Sequence, residues 1–138
     1  MFRICAALGL IAVAVRAQGP DPIRSLITEI NEARSRSDAR AFSRLFTVDG
    51  DLRLGNKILA IGPTAIEHAL RRRVIWTETT PPIIENDSLR LLLSDLAIVD
   101  ADQTQYGSLI LKQRIPVMLL LKRDGASWRI FSLQLGGR

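Results

Sequence analysis

From Ile23 onward the apolar residues recur at helical spacing. Ile23, Leu26, Ile27, Ile30 and Ala33 fall on one stripe, which must lie on something apolar. Asp21 and Pro22 form a start signal in front of it, an N-cap acid followed by a proline whose missing N–H costs nothing in a first turn. Arg34, Arg36 and Ser37 close this helix, and Asp38 caps a second, short one through Phe46, with Ala41, Phe42, Leu45 and Phe46 as its buried side. Asp49, Gly50 and Asp51 read as a turn of good turn formers. Leu52 to Leu54 and Ile58 to Ile61 read as short strands. Gly62, Pro63 and Thr64 then open a third helix with Ile66, Ala69, Leu70 and Val74 inward, which Thr79 to Pro82 break off.

Beyond Pro82 the pattern is strand-like to the end. Strands are expected over about Ile83 to Leu93, Leu96 to Tyr106, Leu111 to Lys122 and Ser127 to Leu135, with Arg123 to Ala126 as a hairpin turn. Helices first and strands after predict an α+β domain with helices on one face of a mainly antiparallel sheet.

The first residues have a different character. Met1, Phe2 and Arg3 precede an apolar run from Ile4 to Val15, then Arg16, Ala17 and Gln18, the build of a secretory signal peptide cleaved after Ala17. A run of 12 such residues at about 1.5 Å each reaches only about 18 Å of a roughly 30 Å hydrocarbon core, too short for an anchor. The expectation is an exported protein, periplasmic or extracellular, with residues 18–138 as a single domain and no stable membrane association after cleavage. Cys5, the one cysteine, would leave with the signal. The mature chain would then have neither disulfide nor thiolate metal site. Its charge balance becomes 17 basic against 14 acidic residues, and the one tight basic cluster is Arg71 to Arg73. A nucleic-acid binder would gather its cations on one face with aromatic platforms or a reading helix, so no nucleic acid is expected.

Five pieces in order carry a family likeness: the Ser37-Asp38 junction, Leu45 to Asp49, the Gly62 to Ile66 helix entry, Asp95 to Asp102, and Asp124-Gly125 leading to Trp128 to Ile130. In this the chain resembles the nuclear-transport-factor-2-like superfamily, and within it the SnoaL-like group of small bacterial proteins. The resemblance implies a cone-like, strongly curved sheet wrapped round three N-terminal helices, an apolar cavity open at one end, and a homodimer. Such folds host isomerases, dehydratases, cyclases, hydrolases and plain association domains, so fold does not settle function. In the ketosteroid isomerase-like pattern a carboxylate base works with a tyrosine and a protonated acid that hold the oxyanion. Alignment on Asp38, Phe46 and Pro116 puts Leu54, Ile30 and Met118 at those positions, none able to move a proton.

Other candidate chemistry is sparse. His68, the one histidine, projects about 160° from Leu70 at about 100° per residue, so it is expected outside the buried face. Without cysteines it gives no reason to expect zinc or another metal, and no cofactor is implied. Asp100 and Asp102 share one face of their strand. They read first as an acidic rim; whether their face is the buried one stays open, because apolar residues occupy both parities. Arg73 falls inside the apolar stripe of the third helix, either as a salt bridge at the helix end or as a clamp for a carboxylate-bearing ligand. Trp76, Tyr106, Met118 and Gln134 are the further expected lining of the opening, for a small, largely apolar molecule. Trp128 is expected in the core. Asn86 to Ser88 matches a glycosylation sequon, expected to be unused given the likeness to bacterial proteins. The last strand, taken as regular, puts Phe131 and Leu133 on a face the helices leave uncovered, and hence near the centre of a homodimer interface.

Overall fold

The computed structural model describes residues 21–72, 83–106 and 112–136. Helix α1, Asp21–Ser35, leads to the short α2, Ala39–Ser43. Between them the chain turns back through Ser37, held at φ 51° in the left-handed region. There the Asp38 N–H bonds to the Ala33 carbonyl and the Ser37 N–H to the Arg34 carbonyl, which satisfies the helix end. The Asp38 side chain then accepts from the Ala41 N–H at 2.9 Å, capping α2 as its residue type implies. The strands and third helix follow: β1 Phe46–Leu54, β2 Lys57–Ile61, α3 Pro63–Arg72, β3 Ile83–Leu93, β4 Leu96–Tyr106, β5 Lys112–Asp124 and β6 Ser127–Leu135.

The strands form one curved six-stranded sheet in the order β2-β1-β6-β5-β4-β3. Every pairing is antiparallel except β1 with β6. Ile23, Leu26, Ile27 and Ile30 of α1, Phe42 of α2 and Ile66 and Leu70 of α3 share one core with Leu52, Ala97, Val99, Val117, Leu119, Leu121, Ile130 and Leu133 of the sheet. The helices therefore cover one face only. Burial on β4 settles the parity left open above. Ala97, Val99 and Ala101 point into the core, so Asp100 and Asp102 belong to the outer face, and Asp100 is exposed.

Two expectations need correction. The second helix ends at Ser43, and β1 starts at Phe46, running straight through Asp49, Gly50 and Asp51 rather than turning there. The parallel register shows why. Phe46 is level with Ile130 and Asp51 with Ser132, so β1 spends five residues where β6 spends two and bows outward. Gly50 sits in this bow because a Cβ on it would lie 2.7 Å from the Ile130 carbonyl oxygen, closer than any side chain could approach. Its value is close backbone approach, not a turn.

The second correction concerns β6. Leu121 pairs with Ile130 but Leu120 with Ser132, so Phe131 is an extra residue in a β-bulge. Beyond it the parity reverses. Ile130 and Leu133, three apart, are both fully buried on the helix side, while Ser132 and Gln134 move to the outer face. Leu133 is thus a core residue facing Leu119 and Leu52, not part of an outer surface. Phe131 stays on the outer side, where the Lys122 ammonium lies 5.8 Å from its ring centroid.

Candidate functional site

The helix side of the sheet is apolar except at one end, where β3 begins and β4 finishes. Arg34 is reached from Ile27 and Ile30 by helical spacing, so α1 drives it inward on its apolar stripe. It is 5% exposed, its guanidinium donates to the Gln103 Oε1, and the Phe42 ring lies 5.9 Å from its central carbon. Gln103 follows Val99 and Ala101 at strand parity and is buried too. Beside them the Asn31 side chain grips the edge strand at both polar groups of one residue. Its amide donates to the Ile84 carbonyl at 3.0 Å, and its oxygen accepts from the Ile84 N–H at 2.9 Å. These are backbone groups for which an edge strand has no further strand.

This arrangement places a guanidinium, an amide and the wall of Phe42 and Ile84 inside an otherwise hydrocarbon interior. It can hold an anionic or carbonyl-bearing molecule by charge-assisted hydrogen bonds. It offers no nucleophile, and no group of three or more histidine, cysteine or acidic side chains able to hold a metal occurs among the described residues. Towards the middle of the sheet the interior is closed by Ile30, Ile66, Val99 and Leu119, all at 0% exposure.

The residues expected to line the opening do not all meet here. Arg73 and Trp76 lie outside the described residues. Tyr106 ends β4 opposite Lys112, with its side chain outside what is described. Met118 and Gln134 do come together, directly opposite each other across β5 and β6, but on the outer face. They cannot line the interior, because their neighbours Val117 and Leu119 are the ones that point to the helices. The oxyanion-type position aligned with Met118 therefore slips by one, to Val117 or Leu119, equally unable to donate a proton. His68 is exposed on α3, and Trp128 is half-buried against the core.

From the sequence Arg34 reads as a charge that closes α1, and nothing in it singles out Gln103. Their positions carried the signal: Arg34 one turn beyond Ile30, and Gln103 two beyond Ala101.

The outer face has its own pattern. Leu96, Ile98, Met118, Leu120 and Phe131 are half-buried there, with no element laid over them among the described residues. Polar residues surround them. Asp51 accepts from Ser132 and from Arg53, whose guanidinium is raised above its usual pKa first by that hydrogen bond and then by the carboxylate charge. No helix among the described residues is long and apolar enough to cross a membrane.

No protein-family model matches the sequence, and no curated protein matches it either. Solved structures do. An NTF2-like protein with a cystatin-like fold from Novosphingobium aromaticivorans superposes with a TM-score of 0.73 at 17% identity, covering 87% of this chain and 82% of that one. An NTF-2-like protein of unknown function from Shewanella oneidensis gives 0.72 at 17% identity, covering 84% and 97%. A putative calcium/calmodulin-dependent protein kinase II association domain from Xanthomonas campestris gives 0.67 at 17% identity, covering 84% and 85%. Three helices packed on one face of a curved, mostly antiparallel sheet, superposing on these over most of both chains, give this protein the nuclear-transport-factor-2-like fold.

Proposed function

We propose that this protein is an exported binding domain that takes a small, largely apolar molecule carrying a carboxylate or carbonyl into the helix side of its sheet, with Arg34 and Gln103 as the polar anchor. The observation that carries this is the Arg34 guanidinium enclosed among hydrocarbon. Taking a charge out of water costs several kcal/mol, and an apolar residue of similar volume closes a core as well or better. Arg34 keeps that charge beside Gln103 and Phe42, and a carboxylate or carbonyl is the class of ligand its guanidinium would favour. The outline is that of most small-molecule sites, an apolar wall with a few placed polar groups.

The test is mass spectrometry of natively purified protein, followed by Arg34→Met. A copurified small molecule, released on denaturation and lost in the variant while the fold persists, supports the reading. Wild-type protein that carries no small molecule and binds none from a panel of aromatic and aliphatic carboxylates refutes it.

The outer face supports a companion reading as a homodimer. An apolar centre of Ile98, Met118, Leu120 and Phe131 with no helix over it is typical of an interface, and the name of the Xanthomonas structure describes an association domain. Phe131→Lys together with Leu120→Lys should give monomers by sedimentation. A wild-type chain that is monomeric at micromolar concentration rules the dimer out.

A further inference from the structure

A groove of 620 Å³ lies at the far end of the sheet from Arg34, where β5 turns into β6. Gln103 is level with Ile115 on β5, and the groove's Asp124 lies nine residues further along that strand. The walls come from three separate parts of the chain: Phe46, Thr47 and Val48 at the start of β1, Pro63 at the start of α3, and Arg129 across from Arg44. Val48 is the most exposed large apolar residue described, at 88%. The outward bow of β1 places it there.

Arg129 is held ready in this groove. One of its terminal nitrogens donates to the Arg44 carbonyl at 2.7 Å, which fixes the plane of the guanidinium. Its Nε lies 3.8 Å from the Asp124 carboxylate, an ion pair too long for a hydrogen bond. Asp124 is 73% exposed and borders the hairpin turn at Gly125, so it is a weak internal competitor that can be displaced. The Arg44 guanidinium makes no hydrogen bond or ion pair among the described residues. A further polar group stands at the same place: the Thr47 hydroxyl is buried and has no hydrogen-bond partner among them.

We propose that this groove is a second binding site, for a small organic monoanion whose carboxylate displaces Asp124 from Arg129 while its apolar body lies on Val48, Phe46 and Pro63. Two guanidiniums select an anion and the apolar wall selects a carbon skeleton. The resident Asp124 carboxylate selects against a dianion such as phosphate, because like charges in one groove repel. The site is separate from the interior one and does not depend on it.

The experiment is a ¹H–¹⁵N titration of the mature chain with sodium benzoate, and in parallel with inorganic phosphate. Benzoate should give saturable shifts at the Thr47, Val48 and Arg129 amides, and phosphate should not. Arg129→Gln should weaken benzoate binding about tenfold or more. Asp124→Asn, at an exposed turn where folding is not at stake, should strengthen it severalfold. Phosphate binding as tightly as benzoate, or Asp124→Asn giving no gain, overturns the proposal. Interior binding is reported separately by shifts at Ile84 and Gln103, so failure at one site is distinguishable from failure at the other.

Discussion

The bulge at Phe131 makes neighbouring residues of one strand energetically unlike, which a pair of substitutions tests directly. Leu133 is at 0% exposure, paired with Leu119 on β5 and level with Leu52 on β1. Leu133→Ala removes a side chain from the sheet's centre, where rigid neighbours on both flanks cannot collapse into the space. Such truncations cost about 2 to 5 kcal/mol. Phe131 is half-buried on the opposite face and touches the Lys122 ammonium. Its loss to alanine forfeits about half of a ~3 kcal/mol burial and a cation–π contact of about 0.5 to 1 kcal/mol, so about 2.5 kcal/mol at most. Urea unfolding followed by circular dichroism measures both. With a slope of about 2 kcal/mol per molar, Leu133→Ala should lower the midpoint by about 1 to 2.5 M and Phe131→Ala by less, about 1.2 M at most. Dilution separates the two further, because any part of the Phe131 effect that passes through a dimer shrinks as protein concentration falls, while the Leu133 effect does not. A Leu133→Ala midpoint close to wild type, or a larger loss for Phe131→Ala at high dilution, would show that β6 is a regular strand and that the parity argued above is wrong.

Gly50→Ala should destabilise by about 1 to 3 kcal/mol, since a Cβ 2.7 Å from the Ile130 carbonyl forces β1 away from β6; thermal melts check this, and an unchanged melting temperature contradicts the bow. Asn31→Ala removes both bonds to Ile84 and should cost about 1 to 3 kcal/mol, with hydrogen exchange at the Ile84 amide rising more than at the β4 amides; equal protection would mean that Asn31 does not secure the edge. Intact mass of protein recovered from the periplasm or medium should begin at Gln18, and Met1 retained there would remove the export proposal. No turnover of a 3-oxo-Δ5-steroid is expected, because the base position reads as Leu54, or as Arg53 after a one-residue slip, and the oxyanion positions are apolar; saturable turnover lost on mutation of an interior residue would show the alignment to be wrong.

Local signals in the chain determined a great deal. The stripe Ile23 to Ala33, the Asp38 cap, the Gly62-Pro63 helix entry and the Asp124-Gly125 hairpin each depend on residues within a few positions of one another, and helices and strands followed them closely. The bounds of β3, β4 and β6 agree with the strands read from the sequence. What the chain could not show alone was whatever depended on a neighbour distant in sequence. Gly50 reads as a turn until the Ile130 carbonyl is placed against it, and Asp49 and Asp51 beside it only strengthen that reading. Leu133 reads as outward until the β5 register reveals an extra residue at Phe131, after which every later side chain changes face. That shift moved Gln134 out of the expected site, while Met118 was lost to it through β5 parity. Arg34 reads as a charge closing a helix until the sheet folds over it and supplies Gln103. A β-bulge, a close backbone approach and a buried charge each require two chain segments to meet. Only the tertiary structure decides which segments do, and so which face of the sheet a ligand or a second protomer could reach.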